Sequence, residues 1–129
     1  MANPKVSFIV PVYNTQEFLP RCLDSLLGQT CPDIEIIVVN DGSPDGSAAI
    51  IDEYARMDSR VRVVEKSNGG LSSARNAGMD VARGDIIDFV DSDDYVEPNL
   101  AEFLFDAFAR EHPEIVVFGA VCEPAELAS

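Results

Sequence analysis

Ile34-Glu35-Ile36-Ile37-Val38-Val39-Asn40-Asp41-Gly42-Ser43 is the stretch that decides the fold. From Ile34 to Asn40 it is a nearly unbroken Ile/Val strand, of the kind that parallel sheets bury on both faces, and it ends abruptly in polar turn residues. Before it, Val6–Val12 is another β-rich run, closed by Tyr13-Asn14. Between the two, Leu19, Cys22, Leu23, Leu26 and Leu27 recur at helical spacing, with Thr15 as the expected N-cap and Gly28 as the stop. After it, a helix is expected from Ser47 to Met57, a strand over Val61–Glu65, and a helix opened by Asn68-Gly69-Gly70, running through Val81 and stopped by Gly84. Ile86–Val90 is the fourth strand. Pro98 opens a helix whose apolar stripe is Leu100, Phe103, Leu104, Ala107 and Phe108, and Ile115–Ala120 is the fifth strand. Strands and helices alternating through short connections predict an α/β fold, doubly wound around a mainly parallel sheet of about five strands, with right-handed crossovers.

The chain is 129 residues long, enough for one buried core. With 47% hydrophobic and 25% charged residues it falls in the range of soluble globular chains. Its apolar runs are far shorter than the roughly 20 residues of a membrane span, so no transmembrane segment is expected. No secretory leader pattern opens the sequence, and a cytoplasmic location is the default, with a peripheral seat at the inner membrane face left open. Cys22, Cys31 and Cys122 lack metal-ligand spacing and read as buried or half-buried thiols. The 23 acidic and 9 basic residues give a formal charge of −14, which argues against nucleic acid and anionic lipid as partners. A polyanionic ligand would need a local reversal of sign, which a divalent cation held by carboxylates supplies.

Ligands of open parallel sheets bind beyond the carboxyl ends of the strands, and the polar residues cluster at those ends. The first strand ends in Tyr13-Asn14, the second in Asn40-Asp41-Gly42-Ser43-Pro44-Asp45, the third in Lys66-Ser67-Asn68-Gly69-Gly70 and the fourth in Asp91-Ser92-Asp93-Asp94. Asp91, Asp93 and Asp94 crowd like charges that either point into solvent, as in an ordinary acidic turn, or hold a hard cation. Asp41 is either part of a turn before a helix capped by Ser43 or Asp45, or a carboxylate accepting hydrogen bonds from a base or ribose. Asn68-x-Gly70-x-x-x-Ala74-Arg75-Asn76-x-Gly78 is either a glycine-opened helix start with backbone N–H groups and an arginine that could face an anion, or a plain Gly69-Gly70 turn followed by Ala74, Ala77 and Gly78 as small residues for close helix–sheet packing.

In this order, Ser7-Phe8-Ile9-Val10-Pro11-Val12-Tyr13-Asn14, Val38-Val39-Asn40-Asp41-Gly42-Ser43, Asn68-x-Gly70 through Gly78, Gly84-Asp85-Ile86-Ile87 and Asp91-Ser92-Asp93-Asp94 resemble the family-2 inverting glycosyltransferases of the GT-A fold, across nearly the whole chain. The resemblance implies a nucleotide-diphosphate sugar donor, most often UDP-linked, and Mn²⁺ or Mg²⁺ as cofactor. Pro11, Tyr13 and Asn14 would line the nucleotide pocket, Asp41 would bind the base, and Asn68, Gly70 and Arg75 would meet the base or diphosphate. Asp91 and Ser92 would face the ribose and donor sugar, and Asp93, with Asp91, would ligate the metal, which acts as a Lewis acid toward the leaving nucleoside diphosphate. Asp88 departs from the pattern, standing where such proteins carry an apolar or small residue.

Inverting transfer also needs a general base, which the family places in the second half of its domain. Glu97, Glu102 and Glu111 sit on or beside a helix that its apolar stripe already explains, and His112 precedes Pro113 in a turn. The expectation is that residues 1–122 form the nucleotide-sugar-binding half of a transferase domain, with 123–129 as a tail and no catalytic base. The acceptor, a glycan or lipid-linked molecule, would be met by the absent half, and an apolar edge left bare would favour self-association. The alternative is a non-catalytic sugar-nucleotide-binding or interaction module. A nucleotidyltransferase would want a glycine-rich basic loop after the first strand, where Tyr13-Asn14-Thr15 stands. A phospho-receiver would want an acidic pair there and a lysine after the fifth strand, where Gly119-Ala120 stands.

Overall fold

A computed structural model describes residues 4–111 and 116–118. The strands are β1 (Val6–Val12), β2 (Ile34–Asp41), β3 (Val61–Lys66), β4 (Ile86–Phe89) and β5 (Val116–Phe118). The helices are α1 (Leu19–Leu27), α2 (Ser47–Met57), α3 (Leu71–Val81) and α4 (Leu100–Glu111). The sheet order is β3-β2-β1-β4-β5 with every pairing parallel. β1 and β2 are buried at every position, as their largely apolar runs require at the centre of such a sheet. The tail expected at 123–129, His112 and the flanks of the fifth strand lie outside the described residues.

Period-2 alternation divides the core between two faces. Val6, Phe8, Val10 and Val12 of β1 and Ile34, Ile36 and Val38 of β2 pack with α1, α2 and α4. Ile9, Ile37 and Val39 face α3, whose Ala74 is buried against them. The first three crossovers share one hand. α4 then returns to the α1–α2 side because Leu100 and Leu104 bury in that cluster, so the step from β4 to β5 has the opposite hand to the uniform one expected.

α3 lies between two ion pairs on its face of the sheet. At its carboxyl end Arg62 bonds Glu35 at 2.7 Å and the Val81 carbonyl at 2.8 Å. Glu35 also accepts from the Ser7 hydroxyl and the Arg83 N–H, each at 2.6 Å. Burial opposes its ionisation, but those donors hold its carboxyl below the ordinary value. At the amino end of α3 the pair is Asp41 with Lys66, in register on β2 and β3. A cation near the last carbonyls and an anion near the first N–H groups both complement the helix dipole.

Four local expectations change. Thr15 does not cap α1 through its side chain; the N-cap is Phe18 and no side-chain cap bond forms, although the Thr15 carbonyl accepts from the N–H groups of Phe18 and Leu19. Gly84 is not a helix stop, since α3 ends at Val81 with Ala82 as C-cap. It is small because its N–H donates to the Ser7 hydroxyl at 2.8 Å, and a Cβ would meet that oxygen at 2.6 Å. Pro98 precedes α4, and its carbonyl accepts from Thr30 N–H at 2.8 Å. The strands β2 and β3 each run one residue further than expected, to Asp41 and Lys66. None of the described helices is long and apolar enough to cross a membrane.

Candidate functional site

β1 leads outward to β2 and β3, whereas β4 sits on the other side of β1, so the strand order reverses between β1 and β4. A parallel sheet opens a crevice beyond its strand ends at such a point. A cleft of about 400 Å³ lies there, lined by Pro11, Val12, Tyr13, Thr15, Asp41, Asn68, Gly70, Leu71, Ala74, Asp91, Ser92 and Asp93. The expected residues Pro11, Tyr13, Asp41, Asn68, Gly70, Asp91, Ser92 and Asp93 therefore meet in one place. Asn14 does not; its backbone, at φ 58°, turns away into a neighbouring depression with Gln16, Phe18 and Asp45, and its N–H donates to the Ser43 hydroxyl at 2.6 Å. Arg75 stands beside the cleft. Its Nη2 is 3.9 Å from Asp91 Oδ1 and its guanidinium lies over the Phe89 ring, while among the described residues its buried Nε has no hydrogen-bond acceptor.

The floor of the cleft is built around Asp41, which is 3% exposed. Its Oδ1 accepts from Lys66 Nζ at 2.7 Å and Gly69 N–H at 3.0 Å, and its Oδ2 accepts from Gly70 N–H at 3.1 Å. Burial opposes ionisation of this carboxyl, and these donors override it and hold the group below the ordinary aspartate value. The backbone N–H groups at the opening of α3 therefore face an anion, and that anion is the protein's own Asp41. Gly42, at φ 71°, lets β2 turn against this loop, where a Cβ would meet Asn68 N at 2.7 Å. Neither of the two caps considered for α2 is used: the N-cap is Gly46 with no side-chain cap bond, and Asp45, one residue earlier, accepts from Ser47 N–H at 3.0 Å and from the Ser43 hydroxyl.

Opposite Asp41 stands the acidic turn. The carboxylates of Asp91, Asp93 and Asp94 each offer an oxygen, and these oxygens lie within 4.8 Å of one another. Three hard oxygen donors at that spacing fit a small divalent cation. The negative potential of the turn reaches Cys22: burial first, then Asp94, Asp93 and Asp91, push that thiol up to about 12. The turn is held from behind by Cys22 Sγ, which donates to the Asp91 carbonyl at 3.7 Å, and by a 2.6 Å bond between the Thr15 and Ser92 hydroxyls. Ser92, which lines the cleft, is bonded there to Thr15.

Thr15, Leu71 and Lys66 were not foreseen as part of the site. Leu71 and Tyr13, about half exposed, form apolar lips on the cleft. Lys66 was legible in one respect, since a lysine ends β3 where an aspartate ends β2. Among the carboxylates weighed as general base, Glu102 accepts from the Thr30 hydroxyl at 2.7 Å, at the far edge of the sheet from the cleft.

The chain is similar to the uncharacterized glycosyltransferase EpsJ of Bacillus subtilis (strain 168), at 52% identity over 90% of this chain and 34% of that protein. It is similar to the putative glycosyltransferase EpsH of the same organism, at 51% identity over 95% of this chain and 36% of that one. It thus spans about a third of the length of these curated relatives. Among solved structures, TarS of S. aureus in complex with UDP superposes with a TM-score of 0.77 at 30% identity, over 84% of this chain and 33% of that one. The mannosyltransferase PcManGT of Pyrobaculum calidifontis, in complex with GDP-Man and Mn²⁺, superposes with a TM-score of 0.70 at 27% identity, over 82% and 32% of the two chains. The sheet with its acidic turn is the amino-terminal portion of a GT-A fold. The model of glycosyl transferase family 2 matches residues 7–127, and the chain belongs to that family.

Proposed function

We propose that the chain binds the donor of an inverting glycosyl transfer: a nucleoside-diphosphate sugar, UDP-linked, held across the cleft with Mn²⁺ or Mg²⁺ at Asp93 and Asp91. The observation that carries this reading is the facing of Asp41 and the Asp91, Asp93 and Asp94 carboxylates across one cleft at the strand-order reversal. The complexes of TarS with UDP and of PcManGT with GDP-Man and Mn²⁺ support it.

On this reading Tyr13 and Pro11 wall the base and Asp41 accepts a base N–H. Arg75, with donors to spare, meets the diphosphate or base alongside Asn68 and Gly70, and Asp91 faces the ribose and sugar. A bound divalent cation supplies Lewis acidity and neutralises charge on the leaving nucleoside diphosphate. Asp94 joins Asp91 and Asp93 as a candidate ligand because its carboxylate shares their cluster. The general base and the contacts to a glycan or lipid-linked acceptor belong to the family's second half-domain, and no residue of this cleft is assigned to them.

Calorimetric titration with UDP tests the proposal. Binding is expected with Mn²⁺, is lost in EDTA, and weakens by about tenfold or more in Asp93→Ala. A wild-type chain that binds no nucleotide in either condition would sink the donor reading and leave an interaction module.

A further inference from the structure

We propose that Lys66 is a positioning residue for the nucleotide base: it holds Asp41 as an oriented, acceptor-only carboxylate on the cleft floor and so sets which bases the site takes. The inference rests on the donor-site reading above and deepens it.

Asp41 and Lys66 are cross-strand partners at the last positions of β2 and β3, and both point to the α3 face. Lys66 Nζ reaches Asp41 Oδ1 at 2.7 Å and the Ser67 carbonyl at 2.7 Å, so one ammonium closes the 66–70 loop around the carboxylate. Gly69 and Gly70 N–H fix the plane of the same group from the other side. Within the described residues Oδ1 accepts two bonds and Oδ2 one, which leaves Oδ2 acceptor capacity toward the cleft that Asp41 lines.

An ionised carboxylate can only accept. It suits the edge of a base that presents a ring N–H, as uracil and guanine do. It is mismatched to cytosine or adenine, whose corresponding ring nitrogen is itself an acceptor, and a buried acceptor facing an acceptor is left unpaired. A carboxyl as buried as Asp41 would take up a proton more readily without a counter-charge, and the protonated acid donates as well as accepts. Lys66 thereby governs both affinity for the right base and rejection of the wrong one. Among the described residues, the other charged groups around the cleft are Asp91 and Asp93 on the opposite wall, with Arg75 beside Asp91, and only Lys66 among these charges bonds the Asp41 side chain.

The test compares wild type, Lys66→Met, Lys66→Arg and Asp41→Asn for UDP and CDP binding with Mn²⁺ between about pH 3 and pH 7. The wild type is expected to favour UDP. Lys66→Met should narrow the UDP-to-CDP ratio about tenfold and raise the acid midpoint of UDP binding by about one pH unit, and Lys66→Arg should restore both. If Lys66→Met keeps the wild-type ratio and midpoint, the proposal is overturned even where overall affinity falls, because a loop-closing role alone would weaken both nucleotides together. Lys66→Gln serves in the same comparison if the methionine variant fails to fold. Should the wild type bind neither nucleotide, the donor-site reading fails and this inference with it. Asp41→Asn losing UDP while Lys66→Met matches wild type would overturn this inference alone.

Discussion

Asp88 projects from β4 on the side that Ile86 and Val90 share, into the core beneath α1 and α4, in register with Phe8 on one flank and Phe118 on the other. It is 1% exposed and, among the described residues, neither carboxylate oxygen has a hydrogen-bond partner. Burial pushes its carboxyl up to about 8. The native state therefore binds a proton that the unfolded chain has released between about pH 4 and pH 8. Stability contributed by the protonated form is present at the acid end of that window and lost as pH rises through it. Asp88→Val is expected to stabilise the fold by about 1–3 kcal/mol above pH 8, with the gain shrinking toward pH 5, measured by thermal melts across pH. Equal melting of variant and wild type at high pH would contradict this. The residue stood out in the sequence as a charge inside an apolar strand, but only the register shows that it faces the core. Thr15 was misread for the converse reason. Capping preference is a local signal, and the partner that claims its hydroxyl, Ser92, is 77 positions away.

The elements were largely legible because each carries one clean period. β1 and α2 fall on the expected limits, and deviations gather at ends, where a single hydrogen bond decides the boundary. What periodicity does not show is how closely elements approach. Gly78 of α3 lies so near the sheet that an added Cβ would collide with Ile9 and press on Val39. Gly78→Ala should cost about 1–3 kcal/mol by chemical denaturation despite alanine's better helix propensity, and a stabilised variant would refute the close packing. The turn between β4 and α4 is likewise set by contact rather than by its own sequence. Removing the Thr15 hydroxyl in Thr15→Val frees Ser92 and should weaken UDP binding with Mn²⁺ about fivefold, near 1 kcal/mol, with little change in melting temperature. Unaltered affinity would show that the turn holds its shape unaided.

At the level of the whole molecule, a chain of formal charge −14 presents a cleft whose far wall carries Asp91 and Asp93, clustered with Asp94. An anionic donor meets repulsion there unless a cation intervenes. The sequence exposed this conflict from composition alone, and the fold locates it: all four polar strand ends supply residues to the cleft at the reversal between β1 and β4, and Asp41 closes on the loop of Lys66 to Gly70. Sheet order and the α4 return were not legible, because they depend on which faces remain uncovered once α1, α2 and α3 are placed. The most direct measurement is the anomalous difference map of a crystal soaked with Mn²⁺ and UDP. The expected result is a manganese peak on the carboxylates of Asp91 and Asp93, bridging to the diphosphate, with the uracil edge at Asp41. UDP seated in the cleft with no manganese at the turn, or manganese there with the nucleotide elsewhere, would contradict it.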